Sequence, residues 1–398
     1  MAVNCRVDGK PEHNSTGPAW LSDVKVLMYM GCIARDYQRR AAPNQWVILN
    51  ALQAAGVTIF GHMLQRLQFL AHQKRASPSD FRRASCRARC GAGQCRHTHR
   101  RAFAAPLARR LSMKIGMNLL LWTGGVTAEH FPLLGKLKAV GFDGVELPVF
   151  GGTPADYKPI RAELDKQGLK CTTVTILTKD TNAISPDAGT RQKALDWLKT
   201  VIEINHVLGA ETVVGPYHSA IGEFSGSGPT ADEKQRAADV LRPAAEFAKS
   251  ANLTMAVEYL NRFECYLLTT AAQAVELVKM VDHPNLRAMY DTFHAHIEEK
   301  GQAAAVRTLA PVLAHVHISE NDRGTPGTGQ VDWDAAFSTL AEVGYDGWMT
   351  IEAFGRALPD LAAATKVWRD LFPTADEVYT KGFKFIKEQT SGASPRVG

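Results

Sequence analysis

The stretch LTMAVEYLNRFE, residues 253–264, begins like a buried strand and ends in two carboxylates, Glu258 and Glu264, with Arg262 between them. Side chains alternate along a strand, so Thr254, Ala256 and Glu258 share one face. That face ends in a charge, and the pattern recurs downstream. LRAMYD (286–291) ends in Asp291, AHVHIS (314–319) carries His317, and WMTIEAF (348–354) carries Glu352. The four positions are separated by 33, 26 and 35 residues, each about one strand-plus-helix unit. Upstream, KIGMNLLLW (114–122), GVELPVF (144–150), KCTTVTIL (170–177) and ETVVGP (211–216) also read as strands. Between strands lie helical patterns such as RQKALDWLKTVIEINHVLGA and ADEKQRAADVLRPAAEFAKSA, apolar at three- and four-residue spacing. Joints such as KAVGFDGVEL carry the glycine expected at a helix C-terminus. Eight strands in 286 residues, about 36 per unit, predict a single α/β domain, a (β/α)8 TIM barrel over 113–398. A doubly wound open sheet is the rival, but the first strand–helix turn lacks G-x-G-x-x-G.

In such a barrel the C-terminal strand ends converge. Glu258, Asp291, His317 and Glu352 would then face one point. Taken singly, an acidic residue at a strand end is more often a helix cap, and a strand histidine a satisfied core group. Four at matching ends point to a site. Clustered carboxylates resist burial unless a cation neutralises them. Three oxygen ligands and one imidazole suit one fairly hard divalent ion per subunit: Mn2+ is favoured, Co2+ or Mg2+ are open, and zinc is disfavoured without thiolates. His315 shares a face with His317 and is assigned one layer deeper.

The net charge of +6 hides an asymmetry. Residues 1–112 hold 18 Lys/Arg against 5 Asp/Glu, and residues 113–398 hold 28 against 35. Five of the seven cysteines lie in the basic leader, leaving Cys171 and Cys265 in the body, which suits a reducing cytoplasm. Cys86, Cys90, Cys95, His97 and His99 raise zinc, and the arginines raise nucleic acid. The spacing matches no strong zinc signature, and aromatic stacking platforms are missing. The leader is therefore read as a disordered extension or as sequence outside the native enzyme, with no nucleic-acid partner. Its apolar runs are interrupted by Asp23 and Lys25, and by Asn50, Gln53 and His62, so no secretory signal or membrane span is expected.

VEYLNRFE (257–264), MYDTFHAHIEE (289–299), HVHISENDRGTPGTGQVDW (315–333) and TIEAF (350–354) together resemble the ketose 3-epimerases, the D-tagatose, D-psicose (D-allulose) and L-ribulose 3-epimerases of the xylose-isomerase-like TIM-barrel superfamily. The resemblance covers about residues 113–390, and Met113 falls where such enzymes begin. It implies that Glu258, Asp291, His317 and Glu352 bind the metal, with Glu258 and Glu352 also the acid/base pair. Glu264, His294 and Arg323 would hydrogen-bond the O1-to-O3 end of the sugar. Phe354, Trp122 and Tyr217 would line the apolar side of the pocket. It also implies a homodimer or homotetramer. GPYHSAIGEFSGSG (215–228) lacks the tryptophan-rich run of some members, which leaves the preferred sugar open.

The implied chemistry is epimerisation of a free ketose at C3. One carboxylate takes the proton, a metal-stabilised enediolate forms, and the second carboxylate returns a proton to the other face. The Gly/Pro loop NDRGTPGTGQVDW has no phosphate-loop pattern, which favours a free sugar over a sugar phosphate. Other readings stay open. They are an aldose–ketose or hydroxypyruvate-type isomerase, an inosose dehydratase, a DNA-repair endonuclease and a non-enzymatic sugar binder. The endonuclease would need more histidines than the body's eight, of which His294, His296, His315 and His317 lie near the expected site.

Overall fold

The structure is a computed structural model, and it describes residues 113–391. The leader, with its zinc, nucleic-acid and disordered-extension readings, lies outside the described residues. Eight strands form a closed barrel in sequence order: β1 Lys114–Asn118, β2 Gly144–Pro148, β3 Lys170–Val174, β4 Thr212–Gly215, β5 Thr254–Val257, β6 Leu286–Asp291, β7 Leu313–Ile318 and β8 Trp348–Ile351. Every neighbouring pair is parallel, and β8 closes on β1 with Ile115 opposite Met349. All the expected strands are present, several shorter than read. β1 stops at Asn118 rather than Trp122, because the Asn118 side chain accepts the Leu120 N–H at 2.8 Å and turns the chain into a 3-10 helix, Leu119–Leu121.

Helices separate the strands and bury their apolar stripes against the barrel's outer face. The helix Ala188–Leu208 starts at Asp187, whose carboxylate accepts the Thr190 N–H at 2.6 Å. It ends on Gly209 in the left-handed conformation at φ 64°, a backbone only glycine adopts freely. The helix Ala231–Ser250 opens with a reciprocal Thr230–Glu233 capping box. Among the described residues no helix is long and apolar enough to cross a membrane.

Strand alternation divides the core in two. Met255 and Val257 face the helices and join the large outer cluster, while Ala256 packs inside with Val174, Val214, Met289 and Leu120. Register aligns Val174 with Val214 and Val214 with Ala256, so one arc of the inner wall is apolar. Another arc is polar, with Asn118 opposite Glu146 and Glu146 opposite Thr172. Trp348 fills the barrel's interior, and β1 and β2 make room for it with glycines. A Cβ on Gly144 would meet the Lys170 carbonyl oxygen at 2.3 Å and Trp348 Cη2 at 2.6 Å. Gly144→Ala should therefore destabilise the barrel by about 1–3 kcal/mol, the usual cost of overpacking. A lowered urea midpoint measures it, and an unchanged midpoint would show that both the indole and the Lys170 carbonyl can move aside.

Candidate active site

The barrel brings the four strand-end residues together. Asp291 closes β6, His317 sits within β7, and Glu258 and Glu352 follow β5 and β8 by one residue. Their ligand atoms all lie within 4.8 Å of one another, and all four residues are buried. His317 Nδ1 is 3.4 Å from Glu352 Oε1, 3.5 Å from Asp291 Oδ2 and 3.9 Å from Glu258 Oε1. Asp291 does two jobs. Its Oδ1 accepts the Phe293 and His294 N–H groups at 2.6 and 3.1 Å and caps the helix Thr292–Glu298, leaving Oδ2 for the site.

The electrostatics call for positive charge here. Burial pushes the Glu258 carboxyl well above its ordinary range; Glu352 and Asp291 add to the shift, and His317 only partly opposes it. At Asp291 burial also pushes upward, but His294, His317 and Arg323 outweigh it and hold the carboxylate low. At His317 burial favours the neutral ring, yet Glu146, Glu352 and Asp291 overcome it and raise the pKa well above normal. His317 Nδ1 and Glu258 Oε1 are buried without a hydrogen-bond partner. Polar atoms of a buried cluster are rarely left so. Two orphaned ligand atoms facing each other, within a set of three carboxylates and one imidazole, fit a divalent cation.

A second group surrounds the first. Arg323 is buried at φ 65°, a left-handed backbone unusual for a non-glycine residue. Its Nη1 donates to Glu352 Oε2 at 2.5 Å and Ser319 Oγ at 2.9 Å, and lies 3.5 Å from Asp291 Oδ2. The guanidinium carbon sits 3.8 Å from the Phe293 ring and 4.6 Å from that of Phe354, held between two aromatic faces. His294 Nδ1 faces two donors, the Asn261 backbone N–H at 2.9 Å and its side-chain amide at 3.1 Å. Two donors on Nδ1 favour the neutral tautomer with its proton on Nε2. Burial keeps that ring neutral, with a pKa lowered to about 3. Nε2 points at the site, 3.6 Å from Glu258 Oε1 and 3.1 Å from Arg323 Nη2, which can only donate, so both ring nitrogens face donors. Glu264, buried beyond β5, accepts the Asn261 amide at 2.7 Å and stands 4.0 Å from Arg323.

Two expected pocket residues sit apart from this hydrogen-bonded cluster. Trp122 is half-buried after the β1 turn, its ring 6.0 Å from that of Tyr379. Tyr217 is fully buried in the outer core cluster, and its hydroxyl returns to the Val213 carbonyl at 3.3 Å. His315 lies one layer deeper than His317, as expected, 3.1 Å from Glu146.

Sequence reasoning missed several residues. Glu146 on β2 accepts from His317 Nε2 at 2.7 Å and from Asn118 at 3.0 Å, and Asn118 also reaches Glu352 Oε1 at 3.1 Å. The signal was a carboxylate in the middle of the buried run GVELP. Glu320 is fully buried and accepts the N–H groups of Asn321, Gly327 and Val331 and the Trp333 indole, which pins the loop that carries Arg323. His218, buried beside the Glu258 backbone, is a fifth histidine near the site.

A closed eightfold parallel barrel thus gathers, at its C-terminal strand ends, a buried carboxylate–imidazole cluster able to hold a divalent cation. The sequence profile of the xylose isomerase-like TIM barrel matches residues 134–389. The chain belongs to that family and, within it, to the ketose 3-epimerases. The ketose 3-epimerase of Arthrobacter globiformis is 31% identical over 280 residues, covering 70% of this chain and 96% of that protein. The D-psicose 3-epimerase of Agrobacterium fabrum is 31% identical over 268 residues, 66% of this chain and 93% of that one. The crystal structure of D-allulose 3-epimerase from Methylomonas sp. in complex with D-allulose superposes with a TM-score of 0.66 at 26% identity, covering 70% of this chain and 97% of that one.

Proposed function

We propose that residues 113–398 form a metal-dependent epimerase that inverts free ketoses at C3 by a two-carboxylate mechanism. Candidate pairs are D-tagatose/D-sorbose, D-fructose/D-psicose and L-ribulose/L-xylulose. The observation that carries this is the convergence of Glu258 and Glu352 on His317 Nδ1, at 3.9 and 3.4 Å, from strand ends three apart around the barrel. Glu258, Asp291, His317 and Glu352 would hold one divalent ion, Mn2+ by preference. When bound, the ion supplies electrophilic stabilisation of negative charge on the sugar oxygens.

The chain's own residues do the rest. One of Glu258 and Glu352 takes the proton from C3, and the other returns one to the opposite face. His294 Nε2–H and the Arg323 guanidinium donate to the sugar oxygens next to the reacting carbon, where charge develops. Glu264 accepts from a sugar hydroxyl. Phe354, packed on Arg323, bounds the pocket's apolar side, while Trp122 and Tyr217, assigned to that wall by the resemblance, stand back from the hydrogen-bonded cluster. The reading includes a homodimer or homotetramer and a cytoplasmic setting. Two free, buried cysteines, Cys171 and Cys265, support a reducing compartment.

Incubation with D-tagatose or D-fructose in D2O with Mn2+ tests this. The expected result is deuterium at C3 together with the C3 epimer. Label confined to C1 or C2 would assign the protein to the aldose–ketose isomerases instead.

A further inference from the structure

Glu146 is absent from the proposed reaction, yet it accepts three hydrogen bonds beneath the site. It is fully buried on β2, one layer below the ligand group. Its Oε1 receives His317 Nε2 at 2.7 Å and the Asn118 amide at 3.0 Å. Its Oε2 receives the Thr172 hydroxyl at 2.8 Å and lies 3.1 Å from His315 Nε2. Asn118 passes the constraint on, because the same amide donates to Glu352 Oε1 at 3.1 Å. A closed path thus runs from His317 through Glu146 and Asn118 to Glu352.

An imidazole can offer Nδ1 to a cation only when its proton sits on Nε2. A carboxylate 2.7 Å from Nε2 accepts that proton's hydrogen bond and so fixes the tautomer and the ring plane. We propose that Glu146 is a positioning residue of the metal centre. It locks His317 with Nδ1 facing the ion, aligns Glu352 through Asn118, and with its charge strengthens the hold of Nδ1 on a divalent cation. This rests on reading the four-residue group as a metal site, so the test measures metal binding without substrate.

Glu146→Gln keeps the size of the side chain and one acceptor but removes the charge. Mn2+ binding to the metal-stripped full chain is measured by calorimetry, with circular dichroism confirming the fold. The expected result is a dissociation constant raised about 10–100-fold, the usual effect of losing such a partner. Excess Mn2+ should then restore much of kcat, with KM for the ketose little changed. Glu146→Asp, which keeps the charge but withdraws it by one methylene, should weaken binding less, and it carries the test if the glutamine variant does not fold. A Mn2+ affinity within twofold of wild type in the folded variant overturns the proposal and makes Glu146 a packing residue. A wild-type chain that binds no divalent ion overturns the metal reading itself, and this inference with it.

Discussion

Glu258→Gln and Glu352→Gln are each expected to reduce C3 epimerisation at saturating Mn2+ by at least about 10²–10⁴-fold, the span usually lost with a general acid or base. Glutamine is nearly isosteric but can neither take nor return a proton. Both residues also belong to the candidate ligand group, so measurement at saturating metal separates lost proton transfer from lost binding. The double variant should be little worse than either single one, because groups that act as a unit do not add. Retention of more than about a tenth of wild-type exchange by either variant would sink the two-base scheme. A second readout moves the opposite way. Burial holds the Glu258 carboxyl above its ordinary range. Above that range the unfolded chain ionises freely while the folded one resists, so at neutral pH the group costs stability that is regained as pH falls. Glu258→Gln removes this cost, and its melting temperature without metal should equal or exceed that of wild type.

The convergence of the four strand-end residues was legible because it depends on so little. Strand alternation, a spacing of one unit and the convergence of strand ends are enough to place Glu258, Asp291, His317 and Glu352. Glu264 and Arg323 came only from the family resemblance; they lie in loops leaving β5 and β7 and are buried beside Asp291 and Glu352. What stayed hidden depends on register between distant strands. Glu146 meets His317 across 171 residues, and Asn118 meets Glu352 across 234. Neither pairing has a local signature beyond a polar residue within an apolar run. Glu320 was hidden for another reason. Its partners are backbone N–H groups, which any sequence supplies, so only the closed loop shows that one carboxylate holds them. Tyr217 shows the limit from the other side: its position after β4 was readable, but the direction of its hydroxyl toward Val213 was not.

Removing the metal is expected to have the other large effect. Dialysis against EDTA should abolish turnover, and Mn2+ should restore it. The physical reason lies in the inventory of the site. Three buried carboxylates surround one imidazole nitrogen within 3.9 Å, and the only full positive charge reaching them from a neighbouring side chain among the described residues is Arg323. Without a cation the cluster must keep protons on its most strained members, and Glu258 and His317 are the two whose affinity for a proton is raised. A ligand cannot hold a proton and an ion on the same atom, so cation binding must release protons. Affinity for Mn2+ should therefore fall as pH is lowered, and adding Mn2+ to weakly buffered metal-free protein should acidify the solution. Linkage sets the size of the stability change. At a free ion concentration one hundred times the dissociation constant, binding adds about 2.7 kcal/mol. For a domain of this size that corresponds to a rise in melting temperature of roughly 4–5 °C. Full activity after chelation, with no proton release and no thermal shift on adding Mn2+, would remove the cation from the reaction. Glu258 and Glu352 would then have to work as a pair sharing one proton, held by Arg323 alone.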